Sequence, residues 1–366
     1  MNNRFLIRRN KIRRSIIQRQ LDAILISNPI NVRYLTGFTG VDSYLIIKRS
    51  GDIILSDPRF TIQIEEECPN LDVYLRSVNK PLIHAVGQVL GKTTSGTLGV
   101  EAESMTLAKQ ERLTQVIPAW SIVATQNIVE ELRQIKDRNE IQFIRKAIDT
   151  AYRAFLEVRS FLTPERSEMD IRNELEYRIR LNGAEDKSFP SIIGVGSRAA
   201  LPHGSPSSLK LAGQSHLLID WGTIINGYMS DLTRVLIFQK KDKKLRTVYE
   251  TVLKAQEAAI KTVKPGKCCN EIDAAARSVI CDAGFGKYFD HGLGHSFGLE
   301  IHETPRLVGG DHTVLKPGMV LTVEPGIYLK DWGGVRIEDD IIVTKTGCEV
   351  LSRSIPKSFD EMICLI

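Results

Sequence analysis

The spacing of apolar residues changes along this chain. Before residue 128 the apolar runs are short and the elements they predict are small. Residues 23–27 predict a strand that stops at Asn28-Pro29. Residues 44–47 and 53–55 predict a hairpin turning at Ser50-Gly51-Asp52. Residues 82–90 have helical spacing and stop at Gly91. From Ile128 to about Leu162 the pattern lengthens. Leu132, Ile135, Ile141, Ile144, Ala147 and Ala151 recur at helical intervals among charged residues, which predicts one or two long helices opening a second domain. Helices are also predicted over 167–182, 245–263 and 270–283, with Lys264-Pro265-Gly266 as a breaker after the second. Strand-like blocks at 191–195, 216–221, 228–238, 320–328 and 335–343 lie between and after them. Helices and strands in blocks imply an α+β second domain, residues 128–366, preceded by a smaller α/β domain, residues 1–127.

Charge alters this picture at one end only. The net charge is +5, yet Arg4, Arg8, Arg9, Lys11, Arg13, Arg14 and Arg19 fall in the first twenty residues, which contain no acid. The remainder sums to −2, so the second domain is not a basic nucleic-acid surface. The basic head is Arg-rich and acid-poor like a transit peptide, and lacks the apolar core of a secretory signal. Ile7, Ile12, Ile16 and Leu21 lie on or near one helical face and run directly into the first strand, so a solvated amphipathic first helix is expected. No apolar run approaches the roughly 18 residues needed to span a bilayer. The six cysteines form no C-x-x-C pair, which predicts free thiols in a reducing, cytoplasmic compartment. Gly91-Lys92-Thr93 is not a phosphate-binding loop, because Val86 stands where that loop needs its first glycine.

The chemistry concentrates between His291 and Pro305, where three of the seven histidines fall within twelve residues. Gly292 and Gly294 allow close backbone approach there. The stretch is not H-E-x-x-H, since Gly292 follows the first histidine, and no paired cysteines stand near for a zinc finger. Its remaining ligands must lie elsewhere. Asp220 ends the apolar run L-L-I-D, and Asp231 follows eleven residues later across a turn containing Asn226-Gly227, a hairpin able to join the two carboxylates. Alternation along a strand pairs Asp231 with Thr233, Glu324 with Thr322, and Glu338 with Arg336. Carboxylates that interrupt apolar strands must be paired or bind metal. Four carboxylates and an imidazole suit Mn²⁺ or Co²⁺, and are compatible with Zn²⁺. Their charge is balanced better by two ions about 3.5–4 Å apart than by one.

With these residues in hand, the chain resembles the pita-bread metallopeptidases, and among them the Xaa-Pro aminopeptidases and Xaa-Pro dipeptidases (prolidases). Asn31-Val32-Arg33-Tyr34-Leu35-Thr36-Gly37-Phe38 resembles the opening of the family's creatinase-like N-terminal domain. Leu132-Arg133-Gln134-Ile135-Lys136, with Glu140-Ile141, resembles the start of its pita-bread catalytic domain. Pro202-His203-Gly204 matches its first substrate-site histidine. The family's metal positions fall on Asp220, Asp231, His295, Glu324 and Glu338. Ser215 and Ser296 depart from the usual acid and glycine.

The resemblance implies a dinuclear, metal-dependent exopeptidase that hydrolyses the bond before proline through a metal-bridging water. Asp220 would chelate one ion, Asp231 and Glu338 would bridge both, and His295 and Glu324 would complete the other shell. Glu324 would also accept the water's proton. His203 and His302 would stabilise the oxyanion and protonate the leaving nitrogen, while His291 and Arg336 would line the substrate pocket. His84, His216 and His312 match no motif and are expected to be structural. Short proline-containing peptides are the expected partners, without nucleic acid or membrane. A homodimer is implied, with a neighbour's N-terminal domain helping to close the site. A catalytically silent binding module, or a hydrolase of a non-peptide amide, remain the alternatives on this fold.

Overall fold

Strand Ala23–Ile26 is buried at all four positions and is the axis of the first unit. A continuous apolar run suits a strand covered on both faces. The computed structural model describes residues 3–91 and 94–366, so Lys92 and Thr93 of the Gly91-Lys92-Thr93 stretch lie outside it. The described chain divides into two units, Met1–Arg133 and Gln134–Ile366. In the first, strand Ala23–Ile26 pairs antiparallel with Ser43–Lys48 and parallel with Gly96–Glu101. Asp52–Ser56, Asp72–Leu75 and Trp120–Thr125 extend this into a six-stranded mixed sheet. Helices Ile83–Leu90 and Leu107–Val116 bury Val86, Leu90 and Leu113 with Leu25, Leu55 and Leu98 of the sheet.

The basic head is helix Asn3–Gln18, with Ile12 and Ile16 fully buried. It departs from the expected solvated helix in two respects. Ile7 is 50% exposed, while Arg8 and Arg9 are buried. Arg8 donates to Tyr34 O at 2.9 Å and Arg9 to Leu35 O at 2.9 Å, at the end of helix Pro29–Thr36. The last carbonyls of a helix lack intrahelical donors and carry its negative pole, so guanidinium groups are stabilising there. Arg9 and Arg13 also bridge Asp52. These charges hold the unit together.

The one or two long helices expected from residue 128 are one short helix and one long one. A short helix, Glu130–Arg133, ends the first unit, and helix Arg138–Phe161 starts afresh at Asp137. Asp137 caps it reciprocally with Glu140, which satisfies orphan N–H groups and sets the start. Ile135 therefore leaves the apolar face and is 39% exposed. Ala147, Ala151, Phe155 and Val158 are buried at helical spacing. Phe155 stacks on Trp221 at 4.7 Å, and Trp221 Nε1 donates to Ala151 O at 2.9 Å. These contacts seat the helix against strand His216–Trp221, which carries Asp220.

That strand is central in an antiparallel sheet between Ile192–Val195 and Leu232–Ile237. A five-stranded antiparallel sheet runs Glu303–Leu307, Gly294–Ser296, Val320–Val323, Asp339–Val343 and Cys348–Val350. Hairpin Gly326–Leu329 with Gly333–Arg336 is separate. Helices Glu168–Leu181, Lys243–Thr262 and Cys269–Asp282 complete the α+β unit. Three of the expected strands are each split in two. The blocks at 228–238, 320–328 and 335–343 break at Asp231, Glu324 and Glu338. A carboxylate that leaves the strand ladder can turn toward a common point that regular alternation would deny it.

Candidate metal centre and active site

The turn Asn226-Gly227 has positive φ at both residues, 51° and 78°. That is the geometry of a tight two-residue hairpin. It returns the chain so that Thr233 lies opposite Asp220 across the sheet. Asp220, Asp231 and Glu338 thereby offer oxygens all within 4.8 Å of one another, and all three residues are buried. Gly294 brings the histidine segment in: a side chain there would meet Thr322 O at 2.2 Å. His295 Nε2 then lies 3.6 Å from Asp231 and 3.4 Å from Glu324.

The partners of these carboxylates differ from the alternation expected within each strand. Thr322 does donate to Glu324, at 3.3 Å. Thr233, however, donates to Glu338 at 2.7 Å, and Arg336 bridges Asp220. The strand breaks and the cross-strand register carry these side chains to a neighbour's carboxylate. Arg336 is buried and otherwise engaged, by Thr233 at 3.1 Å and by the Tyr328 hydroxyl at 2.8 Å. Tyr328 in turn meets His291 Nε2 at 3.0 Å.

Whether cations fit here can be read from the donor atoms. Asp220 Oδ1 and Glu338 Oε1 are buried and have no hydrogen-bond partner among the described residues. Burial first, and then Glu338, Asp220 and Glu324, push the Asp231 carboxyl well above the usual range. Burial first, and then Glu324 and Asp220, do the same to Glu338. Glu324 is pushed up to about 8, chiefly by burial and against the pull of Arg336. A divalent cation removes both causes, repaying desolvation and screening repulsion. His295 is held neutral, its pKa pushed down to about 3 by burial and secondarily by His302. Its Nδ1 lies 3.2 Å from Ser296 O, an acceptor, so Nδ1 carries the proton. The bare Nε2 then faces two carboxylates. Lone pair against lone pair is unfavourable unless a carboxyl proton or a cation sits between, and the donor set fits a cation.

A cleft of about 620 Å³ opens over this cluster, lined by all five expected ligands and by His203, His291, His302 and Arg336. The rings of His295 and His302 meet edge to face at 4.5 Å. Partial burial first, then Arg306 and His203, hold the His302 pKa below its ordinary value, so it is neutral near pH 7. Phe189, Ile192, Ile301 and Val308 give the cleft an apolar wall.

Two family models cover the chain. Residues 142–345 match the metallopeptidase family M24, and residues 8–135 match the creatinase/prolidase N-terminal domain. The chain belongs to metallopeptidase family M24. It is similar to the Xaa-Pro dipeptidase of Pyrococcus furiosus, 35% identical over 95% of this chain and 98% of that protein. Among solved structures it is similar to the Xaa-Pro dipeptidase from Bacillus anthracis, with a TM-score of 0.91 and 35% identity over 97% of this chain and 99% of that one. It is similar also to the X-Pro aminopeptidase from Thermotoga maritima MSB8, with a TM-score of 0.87 and 32% identity over 94% of this chain and 98% of that one. The creatinase-like domain followed by a pita-bread catalytic domain is the fold, and the protein is a prolidase-like metallopeptidase. No helix among the described residues is long and apolar enough to cross a membrane.

Other residues of this M24 metallopeptidase at the site had no clear signal in the sequence. Arg306 lines the cleft, is exposed, and its guanidinium forms no hydrogen bond or ion pair among the described residues. Being the only base between His302 and Asp311 was the one available hint. Lys136 lies almost wholly buried and donates to Ser296 Oγ at 3.0 Å and to Glu303 at 3.0 Å. It thus gives a use to the serine that departs from the family's usual glycine, and ties down both ends of the His295–His302 segment. Asp340 is fully buried and accepts from Asp231 N at 3.2 Å, supporting the backbone of that expected ligand. Of the histidines without a motif, His216 is fully buried at the start of the Asp220 strand.

Proposed function

We propose that this metallopeptidase hydrolyses the peptide bond preceding proline in short peptides, as an Xaa-Pro exopeptidase with two divalent cations per chain. One observation carries the reading: a bare imidazole nitrogen and orphaned carboxylate oxygens converge at the floor of a cleft. The names of the relatives supply the proline specificity. Proline suits a dedicated enzyme, since its amide lacks N–H and its ring fixes φ.

Asp220, Asp231, His295, Glu324 and Glu338 would hold the cations, Mn²⁺ or Co²⁺ by donor chemistry, with Zn²⁺ compatible. The cations, when bound, supply Lewis acidity toward the scissile carbonyl and lower the pKa of the attacking water. The residues do the rest. Glu324, which lines the cleft beside His295, accepts the proton from the water. His302, neutral and on the cleft wall, and His203, which also lines the cleft, stabilise the tetrahedral oxyanion and deliver a proton to the proline nitrogen, which cannot leave as an anion. Arg336 holds Asp220 and Tyr328, and through Tyr328 orients His291 at the pocket wall. The apolar wall receives the proline ring.

Arg306 favours the dipeptidase form of this activity. An uncommitted guanidinium on the cleft is matched to the free carboxylate of a C-terminal proline. The family also supports a homodimer in which a neighbour's N-terminal domain helps to close the site. The test is a panel of Xaa-Pro dipeptides, Xaa-Pro tripeptides and Xaa-Ala controls, assayed with Mn²⁺ and with chelator. Metal-dependent release of proline from the dipeptides is expected. Cleavage of Xaa-Ala at the same rate removes the proline reading.

A further inference from the structure

His203 sits on an irregular stretch. Residues 201–209 contain neither helix nor strand, and His203 itself is exposed. A proton donor on such a segment needs an external tether, because a freely moving imidazole spends little time in a productive position. The tether is on the page. Glu168, at the first turn of helix Glu168–Leu181, is fully buried. One of its oxygens accepts from Val195 N at 2.9 Å, before the stretch begins. The other accepts from Ser207 N at 2.7 Å and Ser207 Oγ at 2.6 Å, past His203. Arg198 Nε donates to both oxygens, at 3.1 and 2.8 Å, and its Nη2 reaches Ser205 O at 2.6 Å. The helix backbone adds Met169 N to Ser207 O and Glu168 N to Leu209 O, both at 3.0 Å.

We propose that Glu168 is a positioning residue for catalysis, a buried carboxylate that clamps both ends of the 196–207 loop and so fixes His203 over the cleft. This rests on the role given to His203 above and extends it to a residue that touches no substrate. The chemistry requires a carboxylate in particular. Both oxygens receive N–H or O–H donors, whereas an amide has only one acceptor, and its NH₂ would be turned against donors. The capping box between Ser167 and Asp170 fixes the helix start independently, so the helix does not depend on Glu168.

The test is a double-mutant cycle in the full chain loaded with Mn²⁺, using one Xaa-Pro dipeptide and variants Glu168→Gln, His203→Ala and the pair. Bound metal is measured for each, and hydrogen exchange of residues 196–207 is followed in metal-free protein. Glu168→Gln is expected to keep its metal and to lower kcat by about tenfold to a hundredfold, the loss typical of a catalytic group displaced by about an ångström. Its loop amides should exchange on the order of tenfold faster, as expected for one lost buried hydrogen bond. In the His203→Ala background the same substitution should change kcat by less than about twofold, because the group it positions is gone. Equal losses in both backgrounds, or unchanged loop exchange, overturn the proposal alone. Normal turnover by His203→Ala overturns the role of His203 and this proposal with it. If Glu168→Gln does not fold, Ser207→Ala removes one donor from the clamp and enters the same cycle, with the same two outcomes.

Discussion

Acidification should weaken the catalytic unit through one residue remote from the cleft. His216 begins the strand that carries Asp220 and is fully buried. Ser215 Oγ lies 2.8 Å from its Nδ1 and Gly334 O lies 3.2 Å from its Nε2. The carbonyl can only accept, so Nε2 carries the proton and Nδ1 accepts from the serine hydroxyl. One neutral tautomer satisfies both partners, and Trp332 packs against the ring at 5.7 Å. Burial pushes the pKa from 6.5 down to about 4, opposed by the Gly334 carbonyl and by Asp242. In the unfolded chain the imidazole returns to about 6.5. Between about pH 6.5 and 4 the unfolded state therefore binds the extra proton, and stability falls as pH falls. The contribution is fully present above this window and fully lost below it. A separation of about 2.5 units corresponds to about 3 kcal/mol in all, and about 2 kcal/mol is lost between about pH 7.5 and 5. The assay is urea unfolding of metal-free protein at those two pH values, followed by tryptophan fluorescence, for wild type and His216→Gln. The cleft carboxylates titrate in both proteins and cancel in the comparison. Wild type should lose about 2 kcal/mol more than the glutamine variant, which cannot titrate. Equal losses in the two proteins refute the reasoning.

Two further outcomes separate the roles assigned around the cleft. His295→Ala removes a ligand, so bound metal and activity should fall together, while His302→Ala should keep its metal and lose kcat by on the order of 10²–10⁴; metal analysis beside turnover decides, and metal loss by His302→Ala contradicts the division. Arg306→Met should raise KM for an Xaa-Pro dipeptide by about tenfold to a hundredfold, the loss of a charge-assisted hydrogen bond, with kcat little changed and a smaller effect on a tripeptide; equal KM changes for the two substrates remove its contact with the carboxylate.

Much of this protein was legible in the sequence because its cues are local. Asn226-Gly227 announces a hairpin, Ser50-Gly51-Asp52 another, and Asp220 is visible at the end of an apolar run. The start of the helix predicted from Ser167 is equally local, whereas the cap at Asp137 was overrun by the apolar spacing that begins at Ile128. What escaped was set by register and by distant partners. Thr233 and Arg336 were readable as polar neighbours of carboxylates, yet which carboxylate each serves depends on strands more than a hundred residues away. Strand breaks at Asp231, Glu324 and Glu338 arise from convergence on one point, which alternation within a single strand cannot express. Arg8 and Arg9 read as solvated charge, since nothing beside them in sequence reveals that they will meet the end of helix Pro29–Thr36. Glu168 escaped for the same reason: the donors it gathers come from 27 to 39 residues downstream.

The central claim is that four carboxylates and one neutral imidazole hold a pair of cations on which hydrolysis depends. The direct measurement is a titration of metal-free protein with Mn²⁺, following bound metal and release of proline from an Xaa-Pro dipeptide on the same samples. Bound metal should approach about two ions per chain, with activity absent in metal-free protein and complete at the second equivalent. Full activity in protein shown to hold no metal, or saturation at one ion per chain with full turnover, would contradict it.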